Sequence, residues 1–224
     1  MGKLSNFLID HKLDKKNQVR VPKTSKVEIV DFIKRIRPLK SKFELIRIGP
    51  NGDGGYLAPN DLKGIEACFS PGVDTISEFE KDCIERFNMK VFMADKSVDR
   101  PNLDMPDDSY DFQKKFIGCT NNEDYITLDQ WVSSSLPESN ADLLLQMDIE
   151  GGEFFSLINA SNALVNRFRI MVIEFHDLHE LWNRRYFELA PWYLTRFSFL
   201  IMYYISIQII IVGRRRRMTL KSQE

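Results

Sequence analysis

Two almost uninterrupted apolar runs in the second half of the chain constrain its fold most. Leu143, Leu144, Leu145, Gln146 and Met147 run into Asp148, and Ile170, Met171, Val172 and Ile173 run into Glu174. A strand with one face in water alternates apolar and polar residues, whereas a strand covered on both faces need not, and parallel sheets are covered on both faces by crossover helices. Residues 154–164, between the two runs, suit such a crossover. An earlier stretch has the same order: an apolar run over 65–70, a break at Pro71 and Gly72, helical spacing of Ile76, Phe79, Cys83, Ile84 and Phe87, and a short apolar strand over 91–94 ending at Asp95. Strand, turn, helix and strand within about 30 residues is the size of one right-handed βαβ unit. Repetition of that order predicts an α/β fold, a mostly parallel sheet with helices on both faces.

A chain of 224 residues with 43% hydrophobic content buries one sizeable core. The expected organisation is an N-terminal arm with an amphipathic helix over 1–42, one domain over 43–196 and a divergent tail over 197–224. The helix rests on Val27, Val30, Ile33 and Ile36 at helical spacing, with Ser25 as N-cap and Pro38 as stop. Residues 43–48 alternate as a strand and run into Gly49, Gly52, Gly54 and Gly55, a cluster that equally suits a hairpin turn. Residues 99–111 are rich in Pro and Asp and predict a loop; 112–118 predicts a further strand, Thr127 begins a helix, and 133–140 has the composition of a linker.

A net charge of −1 gives no whole-chain field for nucleic acid, which is excluded as an expected partner. Cys68, Cys83 and Cys119 are odd in number and widely spaced, unlike a disulfide framework or a structural zinc site. Near the N-terminus Asp10, His11, Lys12 and Asp14 interrupt any apolar leader, so the expected location is cytoplasmic.

The unusual residues sit where strands end. In open parallel sheets ligands bind beyond the carboxyl ends of the strands. Ser70, Pro71 and Gly72 end one strand, Asp95 a second, Asp148, Glu150 and Glu153 follow a third, and Glu174 and His176 a fourth. A glycine turn followed about 20 residues later by a carboxylate suits an adenosine-bearing ligand, the carboxylate accepting bonds from the ribose hydroxyls. Gly72 and Asp95 satisfy that spacing. A pyrophosphate would want more glycines and no acid beside it; Asp74, Glu78 and Glu80 suit a cationic, phosphate-free cofactor better. Glu150 and Glu153 also suit plain capping of the helix that begins near Gly151.

Taken in order, several motifs resemble those of FkbM-like S-adenosylmethionine-dependent methyltransferases over about residues 43–190. They are Arg47-Ile48-Gly49-Pro50 leading to Asp53-Gly54-Gly55-Tyr56, Phe69-Ser70-Pro71-Gly72-Val73 with Phe79-Glu80, Thr127-Leu128-Asp129, Met147-Asp148-Ile149-Glu150-Gly151-Gly152-Glu153, and Val172-Ile173-Glu174-Phe175-His176. The resemblance implies a Rossmann-like methyltransferase fold, S-adenosylmethionine as cofactor, and methyl transfer to an oxygen of a sugar, glycan or other small molecule. It implies cofactor contacts at Asp53, Gly54, Gly55, Tyr56, Ser70, Gly72, Asp95 and Asp148, with Asp95 on the ribose and Asp148 near the sulfonium or the acceptor. Glu150, Glu174 and His176 are the candidate bases for the acceptor hydroxyl. A noncatalytic binding module on the same fold is the alternative.

His176 and His179 stand at i, i+3 among carboxylates, but Phe175 and Leu178 interleave and nothing fixes a third ligand, so no metal is assigned. The tail departs from the family. Residues 197–212 are almost wholly apolar or aromatic and precede Arg214-Arg215-Arg216-Arg217. A final pair of strands, over 197–204 and 205–212, is the expectation, ahead of membrane contact. The family's His-x-His-Pro-Asn-Asn element is absent; read one base later, its codons give the order Ile207-Gln208-Ile209-Ile210, which points to a frameshift and to incomplete C-terminal strands.

Overall fold

The computed structural model describes residues 22–36, 41–73, 77–99, 106, 108–189 and the backbone of 208–212. A six-stranded sheet organises the chain. Its parallel strands are β3 (Ala67–Pro71), β4 (Lys90–Ala94), β5 (Asp111–Gln113), β8 (Leu143–Met147) and β9 (Phe168–Glu174), with β10 (Gln208–Val212) antiparallel on the β9 edge. In space the order is β10, β9, β8, β3, β4, β5. Numbered by their turn in the chain, the five parallel strands read 5-4-1-2-3, the Rossmann-like order with its reversal between β3 and β8.

Period-two alternation sorts the strand residues into two cores. Phe69, Leu143, Leu145, Met147, Met171 and Ile173 pack with α1 (Lys26–Arg35), α3 (Leu128–Ser135), α4 (Glu153–Asn159) and α5 (Asn162–Val165). Cys68, Val91, Met93, Leu144, Ile170 and Val172 pack with α2 (Glu78–Glu85) and a separate hairpin. Helices therefore cover both faces, and the hairpin takes the area that one helix leaves bare. Burial explains why β3 and β8 are continuously apolar: all five residues of each are buried.

The hairpin is β1 (Leu45–Ile48) and β2 (Tyr56–Pro59), antiparallel with Ile48 opposite Tyr56. The glycine cluster is thus a hairpin turn, as one of the two sequence readings had it. Ser25 caps α1 through a reciprocal bond with Glu28, and Thr127 caps α3 by accepting the Gln130 N–H at 3.2 Å.

Three expectations change. The strand expected over 112–118 divides at Lys114 and Lys115: β5 joins the main sheet, and β6 (Phe116–Ile117) pairs in parallel with β7 (Tyr125–Ile126). The crossover expected over 154–164 is two helices, because Ser161 leaves helical geometry, anchors to Asp129 and caps a new turn by accepting the Leu164 N–H at 3.1 Å. The linker expected from 133 begins later, since α3 continues to Ser135. Of the expected pair of tail strands, β10 matches part of the second; 197–204 lies outside the described residues. Among the described residues no helix is long and apolar enough to cross a membrane.

Candidate functional site

The carboxyl ends of β3, β4, β8 and β9 share one edge of the sheet, and the order reverses between β3 and β8. At that reversal lies a cleft lined by Asp53, Gly54, Tyr56, Gly72, Val73, Phe79, Glu80, Gln146 and Asp148. Its described walls enclose about 100 Å³. That is less than the roughly 300–1,000 Å³ of a typical small-molecule pocket, and it is the size of one end of a ligand. Residues 74–76 and 100–105, next to this rim in sequence, lie outside the described residues.

Gly72 locks the two strand tips together. Its φ is +81°, and a Cβ there would lie 1.5 Å from the Asp148 carbonyl oxygen. The Gly72 N–H donates to the Ala94 carbonyl at 3.0 Å and the Asp148 N–H to the Pro71 carbonyl at 3.2 Å. The missing side chain makes room for the backbone of Asp148, and Gly72 meets the cleft with its own backbone. Gly55 is similar, since a Cβ would sit 1.9 Å from the Pro50 carbonyl oxygen, and it is not part of the cleft wall. Gly54, with φ +74°, has only Pro50 Cγ at 4.0 Å and lines the open space.

Ser70 lies below the cleft floor, fully buried. Its hydroxyl bonds the Glu80 carboxyl and, at 2.6 Å, the Gln146 side-chain oxygen. One hydroxyl proton cannot serve both acceptors. Burial pushes the Glu80 carboxyl up, toward the acid form that can donate to Ser70 while Ser70 donates to Gln146, and the bond from Ser70 works against it. The Gln146 side chain bonds the Tyr56 hydroxyl, which donates to Asp148 Oδ2 at 3.3 Å. Burial, then the charges of Asp148 and Glu174, push the Tyr56 phenol up and keep it a donor. Five residues from four elements thus form one chain of bonds ending at Asp148.

A second group meets the first at Asp148. His176 Nε2 lies 3.2 Å from Glu150 Oε2 and 3.7 Å from Asp148 Oδ1, and its Nδ1 lies 3.0 Å from Glu153 Oε1. Glu153 is fully buried and also accepts the Gly151 N–H at 3.0 Å. Positive φ at Glu150 (55°) and Gly151 (105°) turns the chain sharply after β8, a conformation that costs a non-glycine residue about 1 kcal/mol or more. On the far side the Tyr186 hydroxyl donates to the His176 carbonyl at 3.1 Å. Burial would lower the His176 pKa, but the Glu153 bond and the charges of Glu153, Glu150 and Asp148 outweigh it and the imidazole is raised. Burial and the Glu174 charge push Asp148 up to about 6.

Among the residues expected at the site, Asp53, Gly54, Tyr56, Gly72 and Asp148 line the cleft, and Glu150 and His176 join them through Asp148. Glu174 ends β9 and acts on Asp148 and Tyr56 through its charge. Asp95 follows β4, is 9% exposed, and holds the turn beyond it by accepting from the Ser97 N–H and hydroxyl, each at 2.6 Å on Oδ1. His179 stands apart on the 3-10 helix Leu178–Trp182, with its side chain 76% exposed. Gln146 was not singled out by the sequence, and Glu80 and Glu153 were named near the site without a contact assigned to either. Gln146 carried a signal, as the one polar residue inside an apolar strand. Glu153 suits a helix cap by sequence, yet the N–H it accepts is that of Gly151, ahead of the helix, and its larger use is to orient His176.

Comparison with protein-family models, curated proteins and solved structures gives no match.

Proposed function

We propose that this chain is an S-adenosylmethionine-dependent methyltransferase of the FkbM-like type, acting on a hydroxyl of a sugar, glycan or other small molecule. The observation that carries the reading is Asp148. It stands at the reversal of the sheet and belongs both to the cleft wall and to the carboxylate–imidazole group, so a ligand in the cleft and a second molecule at His176 would meet there.

The cleft suits the cofactor by its chemistry. Among the described residues, its wall carries the carboxyls of Asp53 and Asp148, beside the buried Glu80, and no Lys, Arg or His. Such a wall favours an ammonium or sulfonium and repels a pyrophosphate. The backbone of Gly54 and Gly72, with Tyr56 and Asp148, would hold the amino-acid end, and Asp95, beyond the next strand tip, the ribose. When bound, S-adenosylmethionine supplies an electrophilic methyl group on a positively charged sulfur. The protein's contributions are then position and proton removal. Tyr56 fixes one Asp148 oxygen, Glu153 fixes the imidazole of His176, and the Asp148–Glu150–His176 group receives the acceptor hydroxyl and its proton. Glu150, with its side chain 83% exposed, is the open side of that group.

The test is transfer of label from methyl-tritiated S-adenosylmethionine to a panel of hydroxyl compounds, with Asp148→Asn as control. Label in an O-methyl product, lost in the variant, is expected. Cofactor binding without transfer to any acceptor of the panel would favour the binding-module reading instead.

A further inference from the structure

We propose that Asp148, Glu150 and His176 form a binding site for a divalent cation with mixed nitrogen and oxygen ligands. One ligand atom from each residue lies within 4.8 Å of the others, on two neighbouring strand ends. Bonds of about 2.0–2.2 Å from an ion to imidazole nitrogen and carboxylate oxygen place neighbouring ligands about 3–4 Å apart. The separations of 3.2 and 3.7 Å from His176 Nε2 to the two carboxylates match that spacing.

Two further observations point to a ligand. His176 is oriented as a metal-binding histidine is: Nδ1 is committed to the fully buried Glu153, which leaves Nε2 directed at the two carboxylates. Asp148 Oδ1, the oxygen nearer His176, is buried and has no hydrogen-bond partner among the described residues, while Oδ2 takes the Tyr56 hydroxyl. A buried carboxylate oxygen without a partner is costly unless something satisfies it. Charge agrees. Among the described residues, the ion pairs of Asp148, Glu150 and Glu153 are all with His176, so three carboxylates share one imidazole. An imidazole among hard oxygens suits a borderline ion such as Mn²⁺ or Zn²⁺ better than Ca²⁺.

Three protein ligands, one of them largely exposed, leave coordination positions open to a ligand oxygen. If the methyl-transfer reading holds, on which this clause alone rests, those positions take the acceptor hydroxyl. The cation site itself stands without that reading.

The probe is Mn²⁺, titrated into the metal-stripped full chain without S-adenosylmethionine or acceptor, and followed by loss of the free-ion signal in electron paramagnetic resonance. One equivalent is expected to bind. Asp148→Asn and His176→Ala should each weaken binding at least about tenfold, and Glu153→Gln about 10–100-fold as an orienting residue. Glu150→Gln, at an exposed side chain and so without effect on folding, should also weaken binding, and His179→Ala should leave it unchanged. An undiminished free-ion signal with the folded chain, or equal binding by wild type and Glu150→Gln, overturns the proposal. A chain that binds Mn²⁺ but not S-adenosylmethionine retains the cation site and loses the methyl-transfer reading; the reverse result does the opposite.

Discussion

Replacing Gly72 with alanine should be far more destructive than replacing Gly64, although the two share nearly the same φ, +81° and +80°. Each alanine pays for the left-handed region, about 1–2 kcal/mol. A Cβ at Gly64 meets nothing within 4 Å, so its cost ends there. At Gly72 the Cβ would fall 1.5 Å from the Asp148 carbonyl oxygen and 2.4 Å from its carbon, and both are backbone atoms that cannot rotate away. The tips of β3 and β8 must separate, which breaks the Asp148 N–H bond to Pro71 and adds an overpacking cost of about 1–3 kcal/mol. With a urea dependence of about 2 kcal/mol/M, the difference between the variants is a midpoint shift of about 1 M. Urea unfolding followed by fluorescence and by circular dichroism reads it, with coincident curves as the check on two-state behaviour. Equal midpoints for the two variants would refute the claim that Gly72 is there to let the strand tips touch.

Other consequences follow from the buried polar groups and the sheet edge. Ser70→Ala strands the Glu80 carboxyl and the Gln146 oxygen in the core and should cost about 1–3 kcal/mol in the same unfolding assay. Burial raises the folded-state pKa of Glu80 above its ordinary 4.5. The folded chain therefore holds a proton that the unfolded chain releases, and the stability tied to it is complete below about pH 4.5 and lost as pH rises through the folded value. Glu80→Gln should match wild type in acid and become progressively more stable than wild type above that pH; a pH-independent difference would contradict the assignment. Glu153→Ala removes the partner of His176 and of the Gly151 N–H and should cost about 2–3 kcal/mol, measured by the same unfolding curves. Truncation before Gln208 uncovers the hydrogen-bonding edge of β9 and should produce self-association on gel filtration.

The sheet was legible because burial on both faces leaves a local mark: the runs over 143–147 and 170–173 have no room for alternation. The convergence of carboxylates on one rim was also legible, since each ends a strand. What escaped depends on contacts between distant residues. Nothing near Gly72 in sequence announces that Asp148 will press on it. Gln146 is one polar residue in an apolar run, and only the neighbouring strand brings Ser70 to it. Glu153 meets Gly151 locally and His176 across 23 positions, so sequence shows an acid at a helix start and hides the imidazole. The break between α4 and α5 depends likewise on Asp129, which lies 32 residues from the Ser161 it anchors.

Calorimetric titration of the full chain with S-adenosylmethionine tests the central claim most directly. One cofactor should bind per chain, and Asp95→Ala should weaken binding at least about tenfold through the loss of the ribose hydrogen bonds. NAD, which carries a pyrophosphate to the acidic wall, should not compete. Absence of heat with S-adenosylmethionine from a chain shown to be folded, or equal affinity in wild type and Asp95→Ala, would contradict the account.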